Sequence, residues 1–349
     1  MGQREGRTTV YNNITSPEKL AQVNPENTYL ENEFMDILAS ANKSKETIKQ
    51  YRANLHVFWC WNLEYNNNMA FPKISKRHFV KWQNHCINEL GWSPKRVRTV
   101  KATLSSLSNA IESYLDDEYP DFRSVIRKIE SPPDETVRKK TILKMADFQP
   151  VLDRLVENKE YMKACVLAIA LFSGRRKAEL TRFKVSYFND ENLICGGALY
   201  KTPEKMQTKG RGKNGKLLDV YILAKQFKPY FDLWMEERAR LGIESDWLFP
   251  KYQDGKWHDE KINTSLIDSY TRSFERILGK PIFPHLFRSI FVTHLLEQNL
   301  PEDVVQMIIG WSSKEMISHY DLRNNDSKLE KFFCEDGIRT VEQKTLSDL

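Results

Sequence analysis

The stretch Ser173-Gly174-Arg175-Arg176-Lys177-Ala178-Glu179-Leu180 decides how the rest of the chain is read. It follows residues 161–172, an apolar run at helical spacing, and a glycine ends that run where the arginines begin. An Arg emerging from a core helix is well held, and its planar fork takes two phosphate oxygens without losing its charge. Glu179, three residues beyond Arg176, shares its helix face and is placed to orient the guanidinium. An ordinary surface Arg–Glu pair, worth little, carries the same residues. The surrounding chain has to decide between them.

Working outward, residues 148–155 carry a helical stripe upstream of this segment. Downstream comes a β-like section: residues 185–194, a Gly196-Gly197 turn, a strand near 198–201 and another run at 217–223. Helical patterns resume at 224–241, at 264–278 and from His285 onward, with Gly242, Gly279 and Gly310 where helix ends belong. This predicts an α+β domain over residues 141–325, with a C-terminal helix and polar tail over 326–349. Further upstream, Ser131-Pro132-Pro133-Asp134 opens a linker at 131–140. Residues 28–130 read as a small all-helical domain. Leu30, Phe34, Met35, Ile37 and Leu38 form one stripe, and Ile48, Tyr51, Leu55, Phe58 and Trp59 a second. Phe79, Trp82 and Ile87 mark a third helix, and Ser93-Pro94 opens a fourth that runs through Val97, Val100, Leu104, Leu107 and Ile111. Residues 1–27 are polar and weakly periodic, which predicts a flexible arm.

The 349 residues suffice for two domains with separate cores. No apolar run reaches the roughly 20 residues of a membrane span, and no leader pattern opens the chain. The five scattered cysteines form no CxxC or Cys/His cluster, so neither a disulfide scaffold nor a zinc site is expected and a reducing cytoplasm is. A net charge of +6 is compatible with a polyanionic partner. Its distribution is more telling: Lys43, Lys45, Lys49 and Arg52 cluster on one helix, and Lys95, Arg96, Arg98 and Lys101 on another. A basic helix face is more often merely solvated; two in one small domain, if they stand beside a domain that cuts phosphodiesters, favour phosphate neutralisation along DNA.

The remaining chemistry sits near the C-terminal end. His285 and Arg288 share a helix face while Leu286 and Phe287 pack inward. His285 can move a proton near neutral pH and Arg288 adds a second cation. Trp311 offers one indole donor. Tyr320 is one of 14 tyrosines, and a free phenol, with a pKa near 10, is a weak nucleophile unless cations and a base favour the phenolate.

Taken together, Arg176-x-x-Glu179-Leu180, His285-x-x-Arg288, Ile309-Gly310-Trp311-Ser312-Ser313 and Tyr320, nine positions after Trp311, resemble the tyrosine recombinase (phage integrase) family. Each motif alone is weak; the ordered set is specific. Trp stands at 311 where the family more often has His, which favours hydrogen bonding and packing over proton transfer there. The resemblance implies a mainly α fold with a small antiparallel sheet in the catalytic domain: a two-domain clamp of a helical core-binding domain and an α+β catalytic domain. It implies Tyr320 as nucleophile, Arg176, Arg288, His285 and Trp311 around the phosphate, and a hairpin Lys as general acid. Lys201, Lys205, Lys209, Lys213 and Lys216 are available; Lys209 is the choice, with Lys213 second, and Arg211 and Lys213 are taken as backbone-gripping. It further implies double-stranded DNA sites as partner, a tetramer on two sites, a Holliday junction, and neither ATP nor metal. Lys328-Leu329-Glu330-Lys331-Phe332-Phe333 is a candidate for docking on a neighbouring subunit, the alternative being that Phe332 and Phe333 pack within their own chain. The rival readings are a type IB topoisomerase-like relaxing enzyme and a non-catalytic sequence-specific DNA-binding protein.

Overall fold

A computed structural model describes residues 14–133, 142–209 and 215–323, together with residues 329, 333, 334, 337 and 338. The chain divides into two units, with the main break between Lys139 and Lys140.

The first unit is helical: α1 (Pro17–Leu20), α2 (Pro25–Ser40), α3 (Lys45–Tyr65), α4 (Lys76–Asn84) and α5 (Pro94–Tyr114). Ser16, Asn24, Ser44 and Ser93 cap four of these helices through side-chain oxygens, and three of the four have Pro in the first turn. The core is aromatic, with Phe58, Trp59, Phe71, Phe79 and Trp82 all buried and in mutual ring contact. The expected arm through residue 27 is corrected here. α1 and the start of α2 lie inside it, because short polar side chains build turns rather than leave the backbone free. Asn24 and Asn68 bond each other's backbone at 2.9 Å, and buried Asn27 accepts from Phe71 N at 2.7 Å. Residues 1–13 lie outside the described residues.

In the second unit, α6 (Gln149–Glu157) and α7 (Tyr161–Ser173) precede a one-turn helix, α8 (Lys177–Leu180). Every residue of α7 from Ala164 to Ser173 is buried, so it is apolar all round and forms the centre of the unit. α9 (Ala224–Arg240) and α11 (Leu286–Glu297) pack against it. Strands β1 (Leu193–Ile194), β2 (Leu199–Lys201) and β5 (Tyr221–Leu223) form an antiparallel sheet in that order, with Leu199 opposite Leu223. β3 (Met206–Thr208) and β4 (Lys216–Leu218) form a separate hairpin, so the single run expected over 217–223 is two strands serving two sheets. Residues 185–188 are a 3₁₀ turn, not strand. A third hairpin, β6 (Pro250–Gln253) with β7 (Lys256–Lys261), was not anticipated; both its faces are largely exposed, so no apolar alternation marks it. α10 (Thr264–Leu278), α12 (Glu302–Ile309) and α13 (Glu315–Tyr320) complete the unit.

The expected C-terminal helix does not reach Phe333: Phe333–Cys334 pairs antiparallel with Gly337–Ile338. Phe332 and most of the suggested docking segment lie outside the described residues.

Candidate active site

Four pieces of chain bring the candidate groups together. The first is the end of α7. Gly174 closes that helix at φ +59°, and a Cβ there would meet Phe291 Cδ1 at 2.6 Å, so only glycine lets the chain turn this close to α11. Arg176 follows in extended conformation. Glu179, 2% exposed, accepts from the Arg176 backbone N–H at 3.1 Å and from its guanidinium at 3.0 Å. Burial alone would raise the Glu179 carboxyl; the Arg175 and Arg176 charges and the Arg176 hydrogen bonds outweigh it and hold the pKa below the usual carboxylate value. A charged Glu179 therefore aims a partly exposed Arg176.

The second piece is the start of α11. His285 caps it and Arg288 lies in its first turn, 1% exposed. Arg288 donates to Gly174 O at 3.1 Å and to Ile309 O at 3.3 Å, and its Nε has no partner among the described residues. Burial, then the Arg176 and Arg175 charges, lower its pKa. It nonetheless stays protonated at neutral pH.

The third is the turn after α12 with the short helix α13. Gly310 is left-handed at φ +77°, and the Trp311 and Tyr320 rings meet at 4.8 Å between centroids, tilted by 39°. The Arg288 guanidinium lies 5.3 Å from the Trp311 ring and 5.8 Å from the Tyr320 ring. His285 Nε2 is 2.7 Å from Tyr320 Oη. Burial first, then Arg288, Arg176 and Lys209, push the His285 pKa below its usual value, which favours the neutral ring; with its proton on Nδ1, that ring has Nε2 free to accept from the phenol. The Trp311 indole N–H is buried with no partner among the described residues.

The fourth is the β3–β4 hairpin. Lys209 is exposed at the end of β3, near enough for its charge to act on His285. Lys201 instead faces Asp219 at 3.8 Å on the other sheet. Lys213 and Arg211 lie outside the described residues. The hairpin leans on the third piece, since a Cβ on Gly310 would fall 2.3 Å from Leu218 Cδ1.

Two contributors were not singled out from the sequence. Arg175 is 1% exposed and bonds the end of α12. Arg182 donates to Gln207 O and so ties β3 to the arginine segment. A charged residue offers no apolar signal of burial, so neither position stood out.

In the first unit, Lys43, Lys45, Lys49, Lys95 and Arg98 are exposed. Lys101 is a correction: it is 8% exposed and donates inward to Ile129 O and to Ser131 Oγ, so it closes the end of the unit instead of meeting phosphate. Arg52 is engaged by Glu31 at 3.2 Å, and Arg96 by Asn54 at 2.7 Å and by the Trp92 ring.

Residues 138–326 match the model of the phage integrase family. The chain belongs to this tyrosine recombinase family. Among phage integrase relatives, the SPbeta prophage-derived recombinase-like protein YomM of Bacillus subtilis is 30% identical over 89% of this chain and 92% of its own. A tyrosine recombinase of Pseudothermotoga lettingae is 24% identical, covering 82% and 91%. Among solved structures, a XerH site-specific recombinase bound to a palindromic difH substrate superposes with a TM-score of 0.63 at 17% identity, covering 92% of this chain and 89% of that one. A lambda integrase dimer bound to a COC′ core site gives 0.60 at 14%, covering 85% and 96%. These likenesses show the integrase fold. No helix among the described residues is long and apolar enough to cross a membrane.

Proposed function

We propose that this tyrosine site-specific recombinase cuts and rejoins duplex DNA through a 3′-phosphotyrosyl link on Tyr320. Arg176 and Arg288 hold the non-bridging oxygens of the scissile phosphate and stabilise the charge that builds up on them. Tyr320 Oη attacks phosphorus as its proton passes to His285 Nε2. The bond from phosphorus to the 5′-oxygen breaks, and Lys209 delivers a proton to that oxygen. Trp311 gives its unpaired indole N–H to a phosphate oxygen. The link conserves the phosphodiester energy, so attack by a second strand's 5′-hydroxyl reverses each step. Two cycles, in a tetramer on two sites, pass through a Holliday junction. Lys43, Lys45, Lys49, Lys95 and Arg98 hold backbone phosphates without reading sequence.

The observation that carries this reading is the 2.7 Å contact between His285 and Tyr320 with Arg288 against the Tyr320 ring. Tyr320 thus has an imidazole at its hydroxyl and a guanidinium against its ring. Relatives solved on DNA support duplex DNA as the partner. The test is a duplex nicked beside the cleavage point, incubated without ATP or metal. Wild type should accumulate SDS-resistant protein–DNA adduct and Tyr320→Phe none; an adduct with Tyr320→Phe would refute the assignment. Two-site plasmid then separates rearrangement from simple relaxation.

A further inference from the structure

We infer that Arg175 is a positioning residue for DNA cleavage: its buried fork fixes the Gly310-Trp311 turn in register with Arg176. The inference rests on the recombinase reading above.

A helix leaves its last four carbonyls without intrahelical donors. At the end of α12, Gln306 O accepts from Gly310 N at 2.9 Å and Trp311 N at 3.0 Å, and Met307 O from Gly310 N at 3.1 Å. Ile308 and Ile309 remain, and both are taken by arginine. Arg175 Nη2 donates to Ile308 O, and Arg175 Nη1 to Ile309 O at 3.5 Å. Arg288 Nη2 shares Ile309 O at 3.3 Å. Two residues past Ile309 is Trp311; one residue past Arg175 is Arg176. A single side chain thus spans from the arginine segment to the turn that presents the indole.

The side chain is also placed where a structural role alone would be poorly served. Arg175 is 1% exposed, and of the charges acting on it Glu179 attracts while Arg176 repels. Burying a cation beside another cation costs stability, and an apolar residue fills such a volume at no such cost. What the fork supplies that an apolar residue lacks is two directed donors at fixed spacing. Groups that grip one phosphate must hold their mutual geometry to about 0.5 Å. Arg176 and Trp311 come from segments more than a hundred residues apart; Arg175 bonds one to the other directly, beside Arg288, which bridges Gly174 O and Ile309 O.

The test compares Arg175→Met, Arg175→Lys, Trp311→Phe and the Met/Phe double variant on the nicked duplex, measuring single-turnover cleavage and, separately, DNA affinity. Arg175→Met is expected to bind DNA like wild type but cleave about 100-fold more slowly, the cost of a misplacement of roughly 1 Å. Arg175→Lys keeps the charge but not the fork, and should fall between the two. The double variant should be no slower than Arg175→Met alone, since both changes act through one turn. Wild-type cleavage by Arg175→Met, multiplicative slowing in the double variant, or a loss confined to DNA affinity would overturn the inference. If Arg175→Met fails to fold, Arg175→Lys decides: slowed cleavage with affinity intact supports positioning, and a wild-type rate or a second failure to fold overturns it. If wild type itself yields no adduct, the recombinase reading falls, and this inference with it.

Discussion

At the scale of single residues, the proton shared by His285 Nε2 and Tyr320 Oη at 2.7 Å is the point on which the proposed chemistry turns. The His285 pKa lies below the ordinary imidazole value of 6.5, through burial first and the charges of Arg288, Arg176 and Lys209 after it. Above its pKa the ring is neutral and can take the phenol's proton; below it, that acceptor is lost. Single-turnover cleavage should therefore be flat near neutral pH and fall on acidification, with a midpoint below 6.5. His285→Gln should lose that acid limb and cleave about 100-fold more slowly; an unchanged pH profile in the variant would remove His285 from the proton path. Most of these residues were legible in the sequence because their spacing is their signature: Arg176 with Glu179, His285 with Arg288, Trp311 with Tyr320. Arg175 was not, since an arginine beside an arginine reads as more surface charge. Only the carbonyls of Ile308 and Ile309, brought up by tertiary packing, reveal it as buried. Lys101 failed in the opposite sense: a Lys on a basic helix face proved to point inward to Ile129.

At the scale of elements, the Gly310 turn joins the end of α12 to the β3–β4 hairpin. It is left-handed at φ +77°, and Leu218 of β4 occupies the space a side chain would need. Gly310→Ala should lower stability by about 2 kcal/mol through backbone strain and overpacking, measured as the midpoint of urea unfolding. It should also slow cleavage, because the turn moves Trp311 and the hairpin moves Lys209. Wild-type stability and rate in this variant would show that the turn tolerates a Cβ and couples nothing. The central helix was readable because α7 is apolar all round. The β6–β7 hairpin was not, because it is exposed on both faces, although its Asp254-Gly255 turn is a hairpin signal that a search for turn chemistry would have found.

At the scale of the whole molecule, two units with separate cores carry different parts of the proposed task. The first has little chemistry and many exposed cations; the second holds the arginines, the base and the phenol. If Lys43, Lys45 and Lys49 meet phosphates, changing all three to Gln should flatten the salt dependence of DNA affinity by about three units in a plot of log K against log salt. Lys101→Met should leave that slope alone while lowering stability, since Lys101 is spent on Ile129 and Ser131. Equal slopes for the triple variant and wild type would move the duplex off this helix.

The most direct test of the central claim is to identify the residue that carries the DNA. Adduct trapped on the nicked duplex would be digested with protease and nuclease, and the nucleotide-bearing peptide sequenced by mass spectrometry. The account predicts a single modified peptide, with the 3′-phosphate on Tyr320. A nucleotide on any other residue would contradict it, as would a trapped complex whose protein bears none.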